Sequence, residues 1–293
     1  MHVLTTIGEM AEARQRWQER GGIGFVPTMG YLHAGHLSLA QRAHAESTTA
    51  VASIFVNPAQ FGPSEDLARY PRDLPRDLAQ LESAGVEAVF VPTTEEMYPA
   101  GYSTYVVPEG TLAARLEAAA RPGHFRGVAT VVAKLFAIVR PTDTYFGQKD
   151  AQQVAVLRRM IADLNLPVRL RVLPTVREAD GLAMSSRNAY LDRQQRTAAA
   201  VLFRALQAGR AAFDARAAGG PDAVRPAMAE TVAAEPLATL EYADVCDPDT
   251  FEPLETLRAP ALLALAARVG PARLIDNVLL RADGTWDLGT TAG

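Results

Sequence analysis

Between residues 21 and 177, short and continuously apolar runs alternate with segments of helical spacing. The runs "GGIGFVPT" (21–28), "TTAVASIFVN" (48–57), "EAVFVP" (87–92) and "TDTYFG" (142–147) mostly lack the polar alternation of a strand with one wet face. Between them, helical spacing follows Ala34 and recurs over 73–85, 127–140 and 150–165, with Gly85 as a C-terminal stop. "VRLRVLPTVR" (168–177) closes the series as a further strand. Strands buried on both faces and separated by helices can pair only through crossovers, so they run parallel in one covered sheet.

After residue 176 the pattern changes. An Ala-rich helical stretch (194–220) runs to a stop at "GGPD" (219–222), and strand-like segments with turns between them fill 237–255 and 260–280. The expected fold is therefore α/β: a Rossmann-like parallel sheet with helices on both faces over residues 1–175, then a smaller α+β domain over 176–293. The smaller domain is expected to close over the site.

Charge and composition narrow the function classes. A net charge of −4 offers no basic field for nucleic acid. No apolar run reaches the roughly 20 residues that span a bilayer. Cys246 is the one cysteine, which excludes an intrachain disulfide or a cysteine zinc cluster. The first twenty residues lack a signal-peptide layout, and Glu9, Glu12 and Glu19 argue against a transit peptide. A cytoplasmic protein is expected. Of the 29 basic residues only Lys134 and Lys149 are lysine, leaving 27 arginines. In such a background a lysine marks a place where arginine cannot substitute for a compact point charge.

Open parallel sheets bind ligands beyond the C-terminal ends of their strands. Four polar clusters fall there: "TMGYLHAGH" (28–36), "NPAQF" (57–61), "GQKD" (147–150) and "READGLAMSSRN" (177–188). Neither a P-loop nor a G-x-G-x-x-G fingerprint is present. His33 and His36 stand on the first turn of a helix, where free backbone N–H groups and the helix dipole favour an anion. They also read as a metal pair lacking a third ligand, or as two satisfied histidines at a helix start.

Taken together, T-M-G-x-L-H-x-G-H, "SIFVNPAQF" (53–61), "YPRDLPRDLAQL" (70–81), "RPGHFRGVATVVAKLF" (121–136), "YFGQKDAQQ" (145–153) and "GLAMSSRN" (181–188) resemble, in order and spacing, the pantothenate synthetases. These belong to the H-x-G-H nucleotidyltransferases. The resemblance implies an ATP-dependent ligase that joins (R)-pantoate to β-alanine through a pantoyl adenylate, releasing AMP and pyrophosphate. It implies Mg2+ accompanying ATP, a homodimer, and neither nucleic-acid nor membrane partners.

By the same resemblance, His33, His36 and Lys149 are catalytic, with His36 as proton donor. Met29, Gly30, Gly147, Asp150, Val176 (through its backbone), Met184, Ser185, Ser186 and Arg187 contact ATP alongside them, the last three gripping pyrophosphate. Gln60, Gln153 and Asn57 serve pantoate and β-alanine. Asp77 and Gln80 match positions associated with metal, although Arg76 replaces an acidic neighbour; a solvated helix face is the preferred reading of the pair. Tyr31 and Gln148 are further departures, where alanine and glutamate are common. The helix carrying His124, Arg126 and Lys134 either packs or shapes the pantoate pocket. Another H-x-G-H nucleotidyltransferase, or a nucleotide-binding module without turnover, remains the alternative.

Overall fold

The computed structural model describes residues 1–63, 65–215 and 220–292. Its first unit comprises Met1–Gly147 and Val156–Leu173. The chain enters it through β1 (His2–Leu4) and α1 (Ile7–Arg20), and α1 starts at a capping box between Thr6 and Glu9. There follow β2 (Ile23–Thr28), α2 (Ala34–Glu46), β3 (Thr49–Ile54), α3 (Leu74–Ser83), β4 (Ala88–Phe90) and α4 (Thr94–Met97). Next come α5 (Glu117–Ala120), α6 (His124–Val139), β5 (Asp143–Gly147), α7 (Ala151–Asp163) and β6 (Arg169–Leu173).

The six strands form one parallel sheet in the order β1-β4-β3-β2-β5-β6. Every residue of β3 and β4 is buried, as the unbroken apolar runs require of strands covered on both faces. Val26, Ala52 and Val89 pack with Leu39 and Ala43 of α2 and Leu81 of α3 on one side of the sheet. The strand order runs one way from β2 to β3 and β4 and the other way from β5 to β6, so the switch-point crevice of the sheet lies at the C-terminal ends of β2 and β5.

The second unit comprises Gln148–Ala155 and Pro174–Gly293, and so takes in the first turn of α7. It contains β7 (Val176–Arg177), α8 (Arg193–Ala199), α9 (Val201–Asp214), α10 (Pro221–Ala233), β8 (Ala238–Cys246), β9 (Ala261–Val269), β10 (Ala272–Leu280), β11 (Trp286–Asp287) and β12 (Thr290–Thr291). An antiparallel sheet in the order β11-β10-β9-β8 packs against α9 and α10 through Leu202, Leu206, Met228, Leu263 and Val278.

Two sequence expectations are corrected here. The run 168–177 is two strands, because Pro174 has no N–H to continue a ladder: β6 ends at Leu173, and β7 pairs in parallel with β12. The stop at 219–222 lies partly outside the described residues, but α9 ends at Asp214 and Pro221 opens the unforeseen helix α10. Proline at the first helical position has its φ preset and lacks only an N–H that would be unpaired anyway. A Gly-Pro pair that reads as a stop is therefore equally a start.

Candidate active site

The turn between β2 and α2 is held from below by Asp77. Gly30 has φ +83°, and a Cβ there would sit 3.0 Å from both Asp77 Oδ2 and Ile54 Cγ2, so only glycine fits without displacement. Tyr31 follows at φ +51°. The N–H groups of Tyr31 and Leu32 donate to Asp77 Oδ2 and Oδ1 at 2.6 and 2.8 Å. Asp77 is 1% exposed and stands in the first turn of α3, where the helix dipole favours a carboxylate.

This geometry corrects both readings of Asp77. It is not part of a solvated face, and both its oxygens are occupied by backbone amides rather than turned toward a cation. Gln80 Oε1 is buried without a hydrogen-bond partner. Among the described residues no group of three or more His, Cys, Asp or Glu is arranged to hold a metal.

His33 is the N-cap of α2 and His36 its third residue, and together they form a capping box made of imidazoles. Gly35 N–H donates to His33 Nδ1 at 3.2 Å, and His33 N–H donates to His36 Nδ1 at 3.3 Å. An Nδ1 that accepts cannot carry a proton, so each neutral ring holds its hydrogen on Nε2. The rings lie 4.0 Å apart between centroids. The helix start thus provides two imidazole N–H donors of fixed tautomer beside its own backbone amides.

Asn57 and Gln60 form a second arrangement, after β3. Asn57 Nδ2 donates to Gln60 Oε1 (2.9 Å) and to Gly127 O (3.2 Å), while its Oδ1 accepts from Ala59 N–H and from the Tyr98 hydroxyl (2.7 Å). With Oε1 engaged, Gln60 presents its Nε2–H groups, one of them to Met29 Sδ at 3.1 Å. The turn and the Gln60 loop therefore meet at Met29. A Cβ on Gly127 would overlap the Ala59 carbonyl, which lets α6 lie directly against this loop.

His124 is the next support. Its Nδ1–H donates to Gln60 O at 2.8 Å, and Arg121 donates to its Nε2 at 3.0 Å. Arg121 is in turn paired with Glu65. Burial, reinforced by the neighbouring guanidinium, lowers the His124 pKa to about 4, so the ring is neutral. Further along α6, Arg126 stacks on Tyr105 at 3.4 Å, and Lys134 Nζ lies over Tyr102 at 4.7 Å and Tyr98 at 5.8 Å. These three α6 side chains thus pack the Gln60 loop and the tyrosine ladder. Tyr98, Arg121 and Glu65 were not read as site supports from the sequence.

A separate cavity of about 310 Å³ opens at the ends of β2, β3 and β4, between the Met29–Tyr31 turn and residues Arg72–Leu74. His33, His36 and Gln60 do not line it, so it is not the cavity these donors face.

The second unit carries the remaining candidates. Lys149 Nζ stands 3.6 Å from Asp150 Oδ1, and Gln153 follows Lys149 by four residues on the first turn of α7, half-buried. Ser185 Oγ accepts from Arg187 N–H and caps a short 3₁₀ turn; Ser186 is buried. The Val176 carbonyl accepts from Met184 N–H. Behind these loops Arg177 is buried and uses every N of its guanidinium: two bonds to Asp276 (2.6 and 3.0 Å) and one each to the carbonyls of Leu288, Gly181 and Asn277.

The family model for pantoate-beta-alanine ligase matches residues 2–279. The chain is 57% identical over 283 residues to the pantothenate synthetase of Herpetosiphon aurantiacus, covering 96% of this chain and 100% of that one. It is 59% identical over 282 residues to that of a Roseiflexus species, with the same coverage. Among solved structures, pantothenate synthetase from Thermus thermophilus superposes with a TM-score of 0.89 at 50% identity, over 94% of this chain and 98% of that one. Pantoate-beta-alanine ligase from Francisella tularensis, complexed with beta-gamma ATP and β-alanine, gives 0.80 at 33%, over 95% and 97%.

Proposed function

Because the chain belongs to the pantoate–β-alanine ligase family, we propose that it condenses (R)-pantoate with β-alanine in a reaction driven by ATP. A pantoate carboxylate oxygen attacks the α-phosphorus, the bond to the β-phosphate oxygen breaks, and pyrophosphate leaves. The β-alanine amine then attacks the acyl carbon of the adenylate, the acyl–oxygen bond breaks, AMP leaves, and the amine gives up a proton. Carboxylates are poor electrophiles, and adenylation supplies the leaving group.

The observation that carries this reading is the imidazole capping box. Its Nε2–H donors at a helix N-terminus suit phosphate oxygens, which accept and do not donate. His33 and His36 hydrogen-bond the phosphates through Nε2–H, and His36 donates its hydrogen bond to the departing group while keeping its proton. Met29, Gly30, Gly147, Asp150, Val176 and Met184 shape the nucleotide site; Lys149 neutralises phosphate charge; Ser185, Ser186 and Arg187 hold pyrophosphate. Gln60, its amide oriented by Asn57, donates to pantoate, and Gln153 completes that subsite. A Mg2+ ion arriving with ATP would neutralise phosphate charge; it needs few protein ligands, and of the expected pair Gln80, whose Oε1 has no partner within the fold, is the residue that would help hold it. The enzyme works in the cytoplasm as a homodimer.

AMP and pyrophosphate release tests the proposal, with ATP, Mg2+ and pantoate present and β-alanine added or omitted. Multiple turnovers are expected only with both substrates, and Lys149→Ala should lower the rate by about 10²–10³-fold, the scale of losing one preorganised charge-stabilising group. Release of AMP that ignores β-alanine overturns the ligase reading in favour of another nucleotidyltransferase.

A further inference from the structure

We propose that Asn277 is a positioning residue for Lys149, a role that rests on the ligase reading above. Along β10 ("ARLIDNVLL") the even positions Leu274, Val278 and Leu280 pack in the core of the second unit, and their odd neighbours Arg273, Ile275 and Leu279 are half-buried. Asn277 is the odd position that is buried, at 4% exposure, because the segment carrying Lys149 covers it.

Its side chain is committed to that segment. Asn277 Nδ2 donates to Lys149 O at 2.8 Å and to Gln148 O at 3.0 Å, and its Oδ1 accepts from Gln148 Nε2 at 3.2 Å. A buried amide is stable only when its donors and acceptors are met. Here two main-chain carbonyls beside Lys149 meet both donors. Asp276 and Arg177 brace the position from behind: Asn277 N–H donates to Asp276 Oδ1 at 2.8 Å, and Arg177 donates to Asn277 O at 3.1 Å. Arg177 also holds Gly181 O, just upstream of Ser185–Arg187. One buried network therefore fixes the backbone of both loops proposed to meet phosphate. Lysine has a flexible four-carbon stem, so anchoring its backbone limits where the ammonium can reach.

The test is Asn277→Ala, assayed for pyrophosphate release from ATP and pantoate in the presence of β-alanine, in single and double variants with Lys149→Ala. Loosening an anchored group by about 1 Å can cost on the order of 10²-fold. The expected result is a fall in kcat for adenylation of roughly 10- to 100-fold, with the KM for pantoate unchanged and no further loss when Asn277→Ala is added to Lys149→Ala. Val278→Ala, a core truncation in the same strand, serves as the control that lowers stability without lowering kcat. Full turnover in Asn277→Ala, or losses that multiply in the double variant, overturns the proposal. If Asn277→Ala does not fold, Gln148→Met removes only the donor to Asn277 Oδ1; it should lower kcat several-fold, and an unchanged rate overturns the proposal equally. A wild type that forms no AMP from ATP, pantoate and β-alanine together instead overturns the ligase reading.

Discussion

The two units anchor their functional loops with opposite electrostatic strategies. In the first, Asp77 fixes the histidine turn with a carboxylate satisfied by main-chain amides, and an all-neutral relay, Tyr98–Asn57–Gln60, fixes the amide proposed to face pantoate. In the second, a buried cation, Arg177, is cancelled by Asp276 and then spread over three carbonyls. Amides with a set flip suffice where the ligand offers hydroxyls and one carboxylate. For the loops proposed to hold pyrophosphate, the bidentate ion pair gives a rigid frame that adds no net charge of its own. The difference predicts that the second anchor breaks at greater cost than the first.

The largest effect is therefore expected from Asp276→Ala. It leaves the Arg177 guanidinium buried without its counter-charge, a situation that costs about 3–5 kcal/mol. Urea unfolding should show this loss, and replacing Arg177 and Asp276 together by apolar residues should recover most of it. A loss under about 1 kcal/mol would mean that the three carbonyls alone satisfy the arginine, and the contrast between the units would fail.

Next comes a pH effect confined to the first unit. The His124 pKa, lowered to about 4 by burial and Arg121, lies below the ordinary value of 6.5. Between these values the unfolded chain binds a proton that the folded chain refuses. The stabilisation is thus complete above pH 6.5 and is lost as pH falls toward 4, by roughly 3 kcal/mol in total. Denaturation on either side of that window should show it in the wild type, and His124→Asn should flatten the profile across it. An unflattened profile would assign the acid sensitivity to carboxylates instead.

Asp77→Asn should cost less, about 2 kcal/mol, because one of the two amide N–H groups then faces an NH2 in place of an acceptor. Since the loss falls on the turn itself, the KM for ATP should rise with it. A destabilised variant with an unchanged KM would separate the carboxylate from the histidines it is argued to support.

What the sequence disclosed and what it hid divide along a physical line. Strand burial on both faces follows from local apolar runs, so the parallel sheet was legible without contacts. The histidine pair stood out by type and by its place at a strand-to-helix junction, and Lys149 by contrast with 27 arginines. That contrast also marked Lys134, whose compact ammonium fits over the rings of Tyr102 and Tyr98 and whose pKa is lowered by burial. Hidden were residues whose role depends on a distant partner. Asp77 reaches Leu32 across 45 positions, Tyr98 reaches Asn57 across 41, and Asn277 reaches Lys149 across 128. On α3 the polar positions around Asp77 resemble a wet surface, and only the turn packed against them shows otherwise. The one local trace of Asn277 was an Asp-Asn pair inside an apolar strand, polar residues that a core strand carries only when something pairs with them.

The smallest predicted effect probes the neutral anchor at its outer end. In Tyr98→Phe the ring contacts with Phe55 and Tyr102 are kept and only the hydroxyl is removed. Asn57 Oδ1 retains its bond from Ala59 N–H, so no buried acceptor is stranded, and the cost is that of one net hydrogen bond, about 1 kcal/mol. If the relay orients Gln60, this loss appears as a several-fold higher KM for pantoate, with kcat and the KM for ATP unchanged. Combined with Asn57→Ala it should add nothing, because the hydroxyl acts through that amide. A fall in kcat instead would show that Tyr98 serves the reacting groups directly, and the neutral anchor would then have to be extended to include the tyrosine as part of the pocket wall.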